Sequence, residues 1–354
     1  MKRAMIAIGL AGAALLAGGA ILTRLPAVQD SLFDRALREN FAPASAALFA
    51  HDGLSVFFCG TGSPLPSVKR AQTCTAIIAG DKFFIVDAGT GSWETAQRAG
   101  LPGDRLAGVF LTHFHSDHIG DLSEANLGSW VTARPAPLAI YGPTGVDRVV
   151  AGENEALALD ADYRIAHHGK GVVPLRSKGM TAISFDGDKT SVVYDQAGLT
   201  VTAFPVVHDP VDAAVGYRFD YAGRSVVVSG DTAYSDDLVA AAKGADILIH
   251  EAQANHMVAK MQAAAARAGN ATLAKILGDI PTYHTSPEEA ARAANEAGAK
   301  LLVLTHLTPA PDNAIAERIF LRGVSKVRPR DVKLAEDGMA ILLPREGGVS
   351  FAKY

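Results

Sequence analysis

From Leu54 onward the chain alternates short apolar runs with polar punctuation. The runs are SVFFCG, TAIIAG, KFFIVDAG, LAGVFLTH, PLAIYGP, LTVTAFPVVH, AVGYRFDY, RSVVVSGD, ADILIHEA, KLLVLTH and MAILLP. Each closes on Gly, Pro, Asp or His and is short for a helix, which predicts strands buried in a core. Helical spacing appears over Asp236–Lys243 and Met257–Ala268, and most clearly from Pro287 to Ala294. There Ser286 is the N-cap, proline takes the first helical position, and Glu288 and Glu289 fill the first turn, where the helix dipole favours acids. No fixed period repeats. Strand follows strand in the early half, and strands alternate with helices later. The pattern therefore predicts an α/β protein with two sheets face to face and helices outside, rather than a doubly wound parallel sheet. Residues 54–354 hold no linker-like stretch and read as one domain.

The segment ahead of it changes the picture. Residues 26–53 read as a partly charged, helical connector. Residues 1–25 open with Lys2-Arg3 and continue through the uncharged, Ala-, Leu- and Gly-rich run Ala4–Leu22. A basic start before an apolar run is the pattern of a secretory signal or a signal anchor, with the charges held on the cytoplasmic side. The expectation is export: a periplasmic protein, or one held at the membrane by its N-terminus. Only Cys59 and Cys74 are present. An exported pair can form a disulfide, and a buried free thiol in the run Val56-Phe57-Phe58 is equally natural.

Composition adds little except by exclusion. Of 354 residues, 49% are hydrophobic and 20% charged, with a net charge of −4. That balance gives no electrostatic reason to expect a nucleic-acid partner. The densest basic group, Lys326–Arg330, reads as a solvated face.

The chemistry concentrates in LTHFHSDH, Leu111–His118. Separate apolar strands end in ligand-capable residues: VFLT before His113, VTAFPVV before His208, VVVSG before Asp231 and LLVLT before His306. Side chains at strand ends can converge on one rim of a rigid scaffold. His113 and His115 are two apart and point the same way in an extended segment. Asp117 and His118 start the next helix and can aim elsewhere, so one segment can feed two metals. Counting gives His113, His115 and His208 for one metal, Asp117, His118 and His306 for the other, and Asp231 between them. Imidazole and carboxylate without thiolate suit two Zn²⁺, with Fe or Mn also possible. Two such ions make a hydroxide available near neutral pH and suit cleavage of phosphodiesters or sulfate esters of small molecules; Asp117 both ligates and orients the nucleophile. Asp87, ending the strand FFIV, is expected to orient the histidine loop from behind, or to form a turn. His250 and Glu251 are placed either behind the ligands or in structural roles. Gly60-Thr61-Gly62 lacks the lysine of a phosphate loop. His167-His168-Gly169 reads as an insertion at the cleft or as solvated loop, and Trp93, Trp130 and Tyr141 as core.

HFHSDH, with GTGSP (Gly60–Pro64), VDAGTG (Val86–Gly91), His208, SGDT (Ser229–Thr232) and LTH (Leu304–His306), resembles the metallo-β-lactamase superfamily over nearly all of residues 54–343. The resemblance implies a four-layer αββα sandwich with a dinuclear metal site on one edge. LIHEAQ (Leu248–Gln253) and YHTSPEEAA (Tyr283–Ala291) resemble the ribonuclease Z and arylsulfatase-like branch, and ALDADYRIAHHG looks closest to its arylsulfatase-like members. By that resemblance His284 is the acid for the leaving group, and related enzymes form homodimers. Family β-lactamases generally lack the bridging aspartate, so Asp231 argues against antibiotic hydrolysis. The basic arm by which ribonuclease Z grips tRNA is not evident between His118 and His208. The expected substrate is thus a small-molecule ester, with ribonuclease Z-like RNA cleavage, or a lactonase or carboxylic-ester hydrolase, as the enzyme alternatives. A membrane-anchored binding protein without turnover is the non-enzyme alternative.

Overall fold

Strands whose two faces are both covered need apolar residues at every position, and the central runs supply them. In the computed structural model, which describes residues 22–40 and 44–354, the strands are β1 Leu54–Gly60, β2 Cys74–Ala79, β3 Lys82–Val86, β4 Leu106–Phe110, β5 Leu138–Pro143, β6 Met180–Phe185, β7 Ser191–Gln196 and β8 Leu199–Pro205. They continue as β9 Val215–Tyr221, β10 Arg224–Val228, β11 Ile247–Gln253, β12 Leu301–Thr308, β13 Val332–Leu334, β14 Met339–Leu343 and β15 Ser350–Lys353. One sheet has the order β15-β14-β1-β2-β3-β4-β5-β6 and the other β13-β12-β11-β10-β9-β8-β7.

The pairing explains where the helices fall. Pairs β1–β2 and β2–β3 are antiparallel, whereas β3–β4, β4–β5 and β5–β6 are parallel. In the other sheet β10, β11, β12 and β13 run parallel. Parallel neighbours require crossovers, so the helices Ser92–Arg98, Leu122–Val131 and Val146–Ala156 cover one outer face and Asp236–Ala241 and Pro287–Glu296 the other.

Alternation along a single strand sorts its residues between layers. Val56 and Phe58 of β1 enter the core between the sheets with Phe84, Phe110, Tyr217 and Phe219. Phe57 and Cys59 enter the layer under the outer helices with Trp93 and Val146. The second sheet has its own outer layer, built from Val227, Leu248, Leu302 and the alanines of Pro287–Glu296. Three apolar layers between four layers of elements make an αββα sandwich. Phe110 anchors its centre, with its ring 4.6 Å from Tyr141 and 5.5 Å from Phe219.

Cys59 and Cys74 are joined by a disulfide across β1 and β2, 15 residues apart in sequence, and both are buried. Of the two states left open by sequence, the bridge is the one adopted. The compact unit is Ser45–Tyr354, which begins earlier than residue 54. Leu48 is buried, Ser45 Oγ donates to Gly100 O at 2.6 Å, and Ser55 Oγ donates to Leu48 O. The earlier unit includes the helix Pro26–Asn40. The leader run Ala4–Leu22 lies almost wholly outside the described residues. No described helix is long and apolar enough to cross a membrane.

Candidate metal centre

Strand ends from both sheets meet at one rim. After β4 the chain runs through Thr112 and His113 to the short helix Ser116–Ile119. Asp87, directly after β3, holds this loop: its carboxylate accepts from Thr112 N (2.9 Å), Thr112 Oγ1 (2.9 Å) and His118 Nδ1 (2.8 Å). That bond leaves His118 Nε2 facing the rim. Asp87 adopts φ of 59°, a left-handed geometry that aspartate tolerates better than most residues.

The second sheet brings the rest. His208 follows β8, and its Nδ1–H donates to Tyr283 O at 3.0 Å, which turns Nε2 to the site. Asp231 follows β10 through Gly230, whose φ is 63°. A Cβ on Gly230 would stand 2.7 Å from Val215 O and 2.9 Å from Thr112 Cβ, so only glycine fits between the sheets there. His306 is the extra residue in β12 where the register against β11 shifts, and its φ is 46°. A bulge of this kind re-aims one side chain out of the strand's alternation.

The result is a converging donor set. Ligand atoms of His113, His115 and His208 lie within 4.8 Å of one another, as do those of Asp117, His118 and His306 and those of His113, His118 and Asp231. His113 Nε2 is 2.9 Å from His115 Nδ1, His208 Nε2 is 3.4 Å from the same atom, and Asp117 Oδ2 is 3.1 Å from His306 Nε2. Asp231 Oδ2 is 3.3 Å from both His118 Nε2 and His306 Nε2, and 4.0 Å from His208 Nε2. All are buried except His115, which is exposed. Asp231 Oδ1 and His118 Nε2 are buried without a hydrogen-bond partner, a costly state that a cation relieves. Nitrogen and oxygen donors so arranged fit divalent metal.

Electrostatics divides the set. Burial holds His113 well below the usual imidazole range and lowers His115 and His208, favouring the neutral form that ligates. Burial alone would raise Asp231, but His306 and His118 override it and hold the carboxyl well below the usual range. The same carboxylate, with Asp87 and Asp117, lifts His118 well above the ordinary value against its burial.

A second pair stands beside this cluster. His284 Nδ1–H donates to Glu251 Oε1 at 2.8 Å, and the same oxygen accepts from Thr232 N at 3.0 Å. Burial would lower His284; the Glu251 carboxylate, close and hydrogen-bonded, instead raises it to about 9. The ring lies 5.2 Å from His208 and 5.8 Å from His306. The loop bearing it leads into a capping box, Ser286 with Glu289, at the helix Pro287–Glu296.

Most residues singled out from sequence are thus brought together. His250 is not: it neighbours Glu251 in β11 and points to the other face, and its Nδ1–H donates to Glu251 O at 2.7 Å. His167 and His168 are exposed at the end of the helix Ala158–His168, outside the cluster. Trp93 and Tyr141 are core; Trp130 donates from Nε1 to Pro174 O. Sequence reading missed Thr112 and the Tyr283 carbonyl. Thr112 had a signal, since LTH occurs at both Leu111–His113 and Leu304–His306. A backbone carbonyl has none.

Comparison with known proteins adds the following. The beta-lactamase superfamily domain matches residues 83–307. The ribonuclease Z of Mycobacterium bovis (strain BCG / Pasteur 1173P2) is 38% identical over 260 residues, 73% of this chain and 87% of that protein. The ribonuclease Z of Mycobacterium sp. (strain KMS) is 35% identical over 286 residues, 80% and 94% of the two. Among solved structures, human tRNase Z, short form, superposes with a TM-score of 0.58 at 23% identity, covering 82% of this chain and 99% of that one. The metallo-beta-lactamase fold protein YhfI from Bacillus subtilis gives 0.58 at 20%, with the same coverage. These two likenesses speak to the fold. The curated relatives bear on the ribonuclease Z side of the expected branch and give no support to its arylsulfatase-like side.

Proposed function

The chain belongs to the metallo-β-lactamase superfamily as a metal-dependent hydrolase, and we propose that it cuts phosphodiester bonds as a ribonuclease Z-type enzyme, with RNA as its substrate class. The relatives of that name, matched over 73% of the chain, support the substrate class. The observation that carries the chemistry is the Glu251–His284 pair set against the donor cluster.

His113, His115 and His208 would hold one cation and Asp117, His118 and His306 a second, with Asp231 placed to serve both. When bound, Zn²⁺, or Fe or Mn in its place, would supply Lewis acidity to the ester oxygens and lower the pKa of water in the site. The protein supplies position and proton. Asp87 and Thr112 fix His118 from behind, the Tyr283 carbonyl fixes His208, and Asp117 orients the nucleophile. His284, kept protonated by Glu251, gives its Nε2 proton to the leaving oxygen as the P–O bond breaks.

A second reading, an exported hydrolase of small phosphodiesters, has its own support. The region between β5 and β6 forms the helices Val146–Ala156 and Ala158–His168, and its cations Arg164 and Lys178 are paired with Asp160 and Asp162 at 2.8 and 2.9 Å. Arg148, Lys170 and Arg176 are left over, and Asp147, Glu153 and Glu155 balance them, so the region carries no net positive charge to grip a polyanion. The Cys59–Cys74 bridge suits an oxidising compartment.

One experiment separates them: metal-loaded protein assayed on an RNA with a 3′ extension, bis(p-nitrophenyl) phosphate, an aryl sulfate and a lactone. Cleavage of the RNA and the bis-aryl phosphate supports the first reading, and turnover of the bis-aryl phosphate alone selects the second. Activity confined to sulfate or lactone overturns both. Cell fractionation tests export, with recovery in the cytoplasm as the contrary result.

A further inference from the structure

Beside the exposed edge of the metal centre lies an open cleft of about 570 Å³, whose lining includes Phe114, His115, Arg148, Val149, Val211 and Asp212. Its size is within the range of small-ligand sites. His115 belongs to both the cleft and the donor cluster, so whatever occupies the cleft touches the site of reaction.

Three segments build the walls. Phe114 lies between His113 and His115 and is half-buried. Gly145, with φ of 107°, passes under its ring; a Cβ there would stand 3.2 Å from the ring carbon Cε2. The chain then turns into the helix Val146–Ala156, placing Arg148 and Val149 on the cleft. The opposite wall is the turn after His208, closed by Val211 N donating to His208 O at 2.8 Å, with Val211 and Asp212 facing in. Arg148 is exposed, and neither its guanidinium nor the Asp212 carboxylate has a hydrogen-bond or ion-pair partner among the described residues. Arg164 and Lys178, in the same stretch between β5 and β6, are by contrast paired with Asp160 and Asp162.

From this arrangement we propose that the cleft is a nucleotide subsite adjoining the scissile bond: a base stacks on Phe114, Asp212 accepts from its exocyclic amine, and Arg148 takes a second phosphate. An aromatic face is a sequence-tolerant platform for a base. A guanidinium matches phosphate through its planar fork. The carboxylate opposite disfavours a bare polyphosphate, so the pair selects a phosphate attached to a hydrogen-bonding ring. The inference rests on the phosphodiesterase reading above and narrows its substrate to nucleotides.

The test compares kcat/KM for ApA, which has only the scissile phosphate, with pApAp, which adds terminal phosphates. The wild type is expected to favour pApAp by about tenfold, chiefly through KM, the scale of one charge-assisted contact. Arg148→Ala, or Arg148→Gln if the alanine variant does not fold, brings that ratio to about one, and Arg148→Lys restores part of it. Titration of adenosine 5′-monophosphate gives a binding readout free of turnover, weakened in both Arg148→Ala and Phe114→Leu. A ratio unchanged by Arg148→Ala, or a wild type indifferent to the added phosphates, overturns the subsite alone. A wild type that cuts no phosphodiester overturns the functional reading, and the titration then decides the subsite separately. Lengthening the substrate identifies the source. A preference that grows with chain length marks RNA, and one already complete at pApAp marks a free dinucleotide.

Discussion

At the scale of single residues, the proposed proton donor His284 is the sharpest test. Removing a positioned general acid costs on the order of 100-fold or more, so His284→Ala should lower kcat by that factor and leave KM nearly unchanged. Glu251→Gln should act through His284. The proposed role requires the acid form, so activity should fall as pH rises through the His284 pKa. Glu251 holds that value up towards about 9, and cations bound beside it pull it down. Loss of the carboxylate removes the upward influence, and the alkaline limb of the kcat profile should move to lower pH. A limb that stays in place would leave Glu251 with a structural role only. The ligand-capable residues were legible because their types are rare in such density and each terminates an apolar run. The residues that aim them were less so: Thr112 is a common residue type, and the Tyr283 carbonyl belongs to no residue type at all.

At the scale of elements, the legibility of the strands followed burial. Every run read as a strand became one, whereas β6, β7, β13 and β15 were not anticipated. These are the edges of the two sheets. Edge strands are wet on one side, and MTAISF and SVVYDQ alternate between buried and exposed positions too weakly to announce themselves. The helices did not follow that rule: Val146–Ala156 and Ala158–His168, little buried, were passed over, and so was the largely buried Leu122–Val131. The disulfide could not be decided from spacing, because it depends on β1 and β2 being neighbours. It closes a loop over 15 residues of separation, for which chain entropy gives about 3 kcal/mol. Cys59→Ser with Cys74→Ser should therefore lower the melting temperature by several degrees, and reductant should do the same to the wild type but not to the variant. Phe110→Ala, at the meeting of the two sheets, should cost about 3–5 kcal/mol in denaturant unfolding.

At the scale of the whole molecule, the rim is where the sheets are tied. Val215 N donates to Thr112 O at 3.0 Å and Leu307 N to Thr61 O at 3.0 Å, each linking one sheet to the other. A cation bound to donors from both sheets adds to that tie, and at a free concentration a thousandfold above its dissociation constant it contributes about 4 kcal/mol per site. Chelation should lower the melting temperature, and re-addition of Zn²⁺ should restore it. Because His118 is held well above the ordinary imidazole value, uptake must displace a proton. Calorimetric titrations in two buffers of different ionisation enthalpy should show that release. The place of His306, the ligand proposed from β12, has a consequence for biogenesis. It follows Asp117 by 189 residues, so during synthesis an emerging polypeptide carries the histidine loop for a long interval before its distant partner exists. A chain threaded through a membrane pore would arrive on the far side in the same incomplete condition. Loading with metal is therefore expected only once β12 has been made, and a truncation ending before residue 301 should retain little of the affinity of the full sandwich.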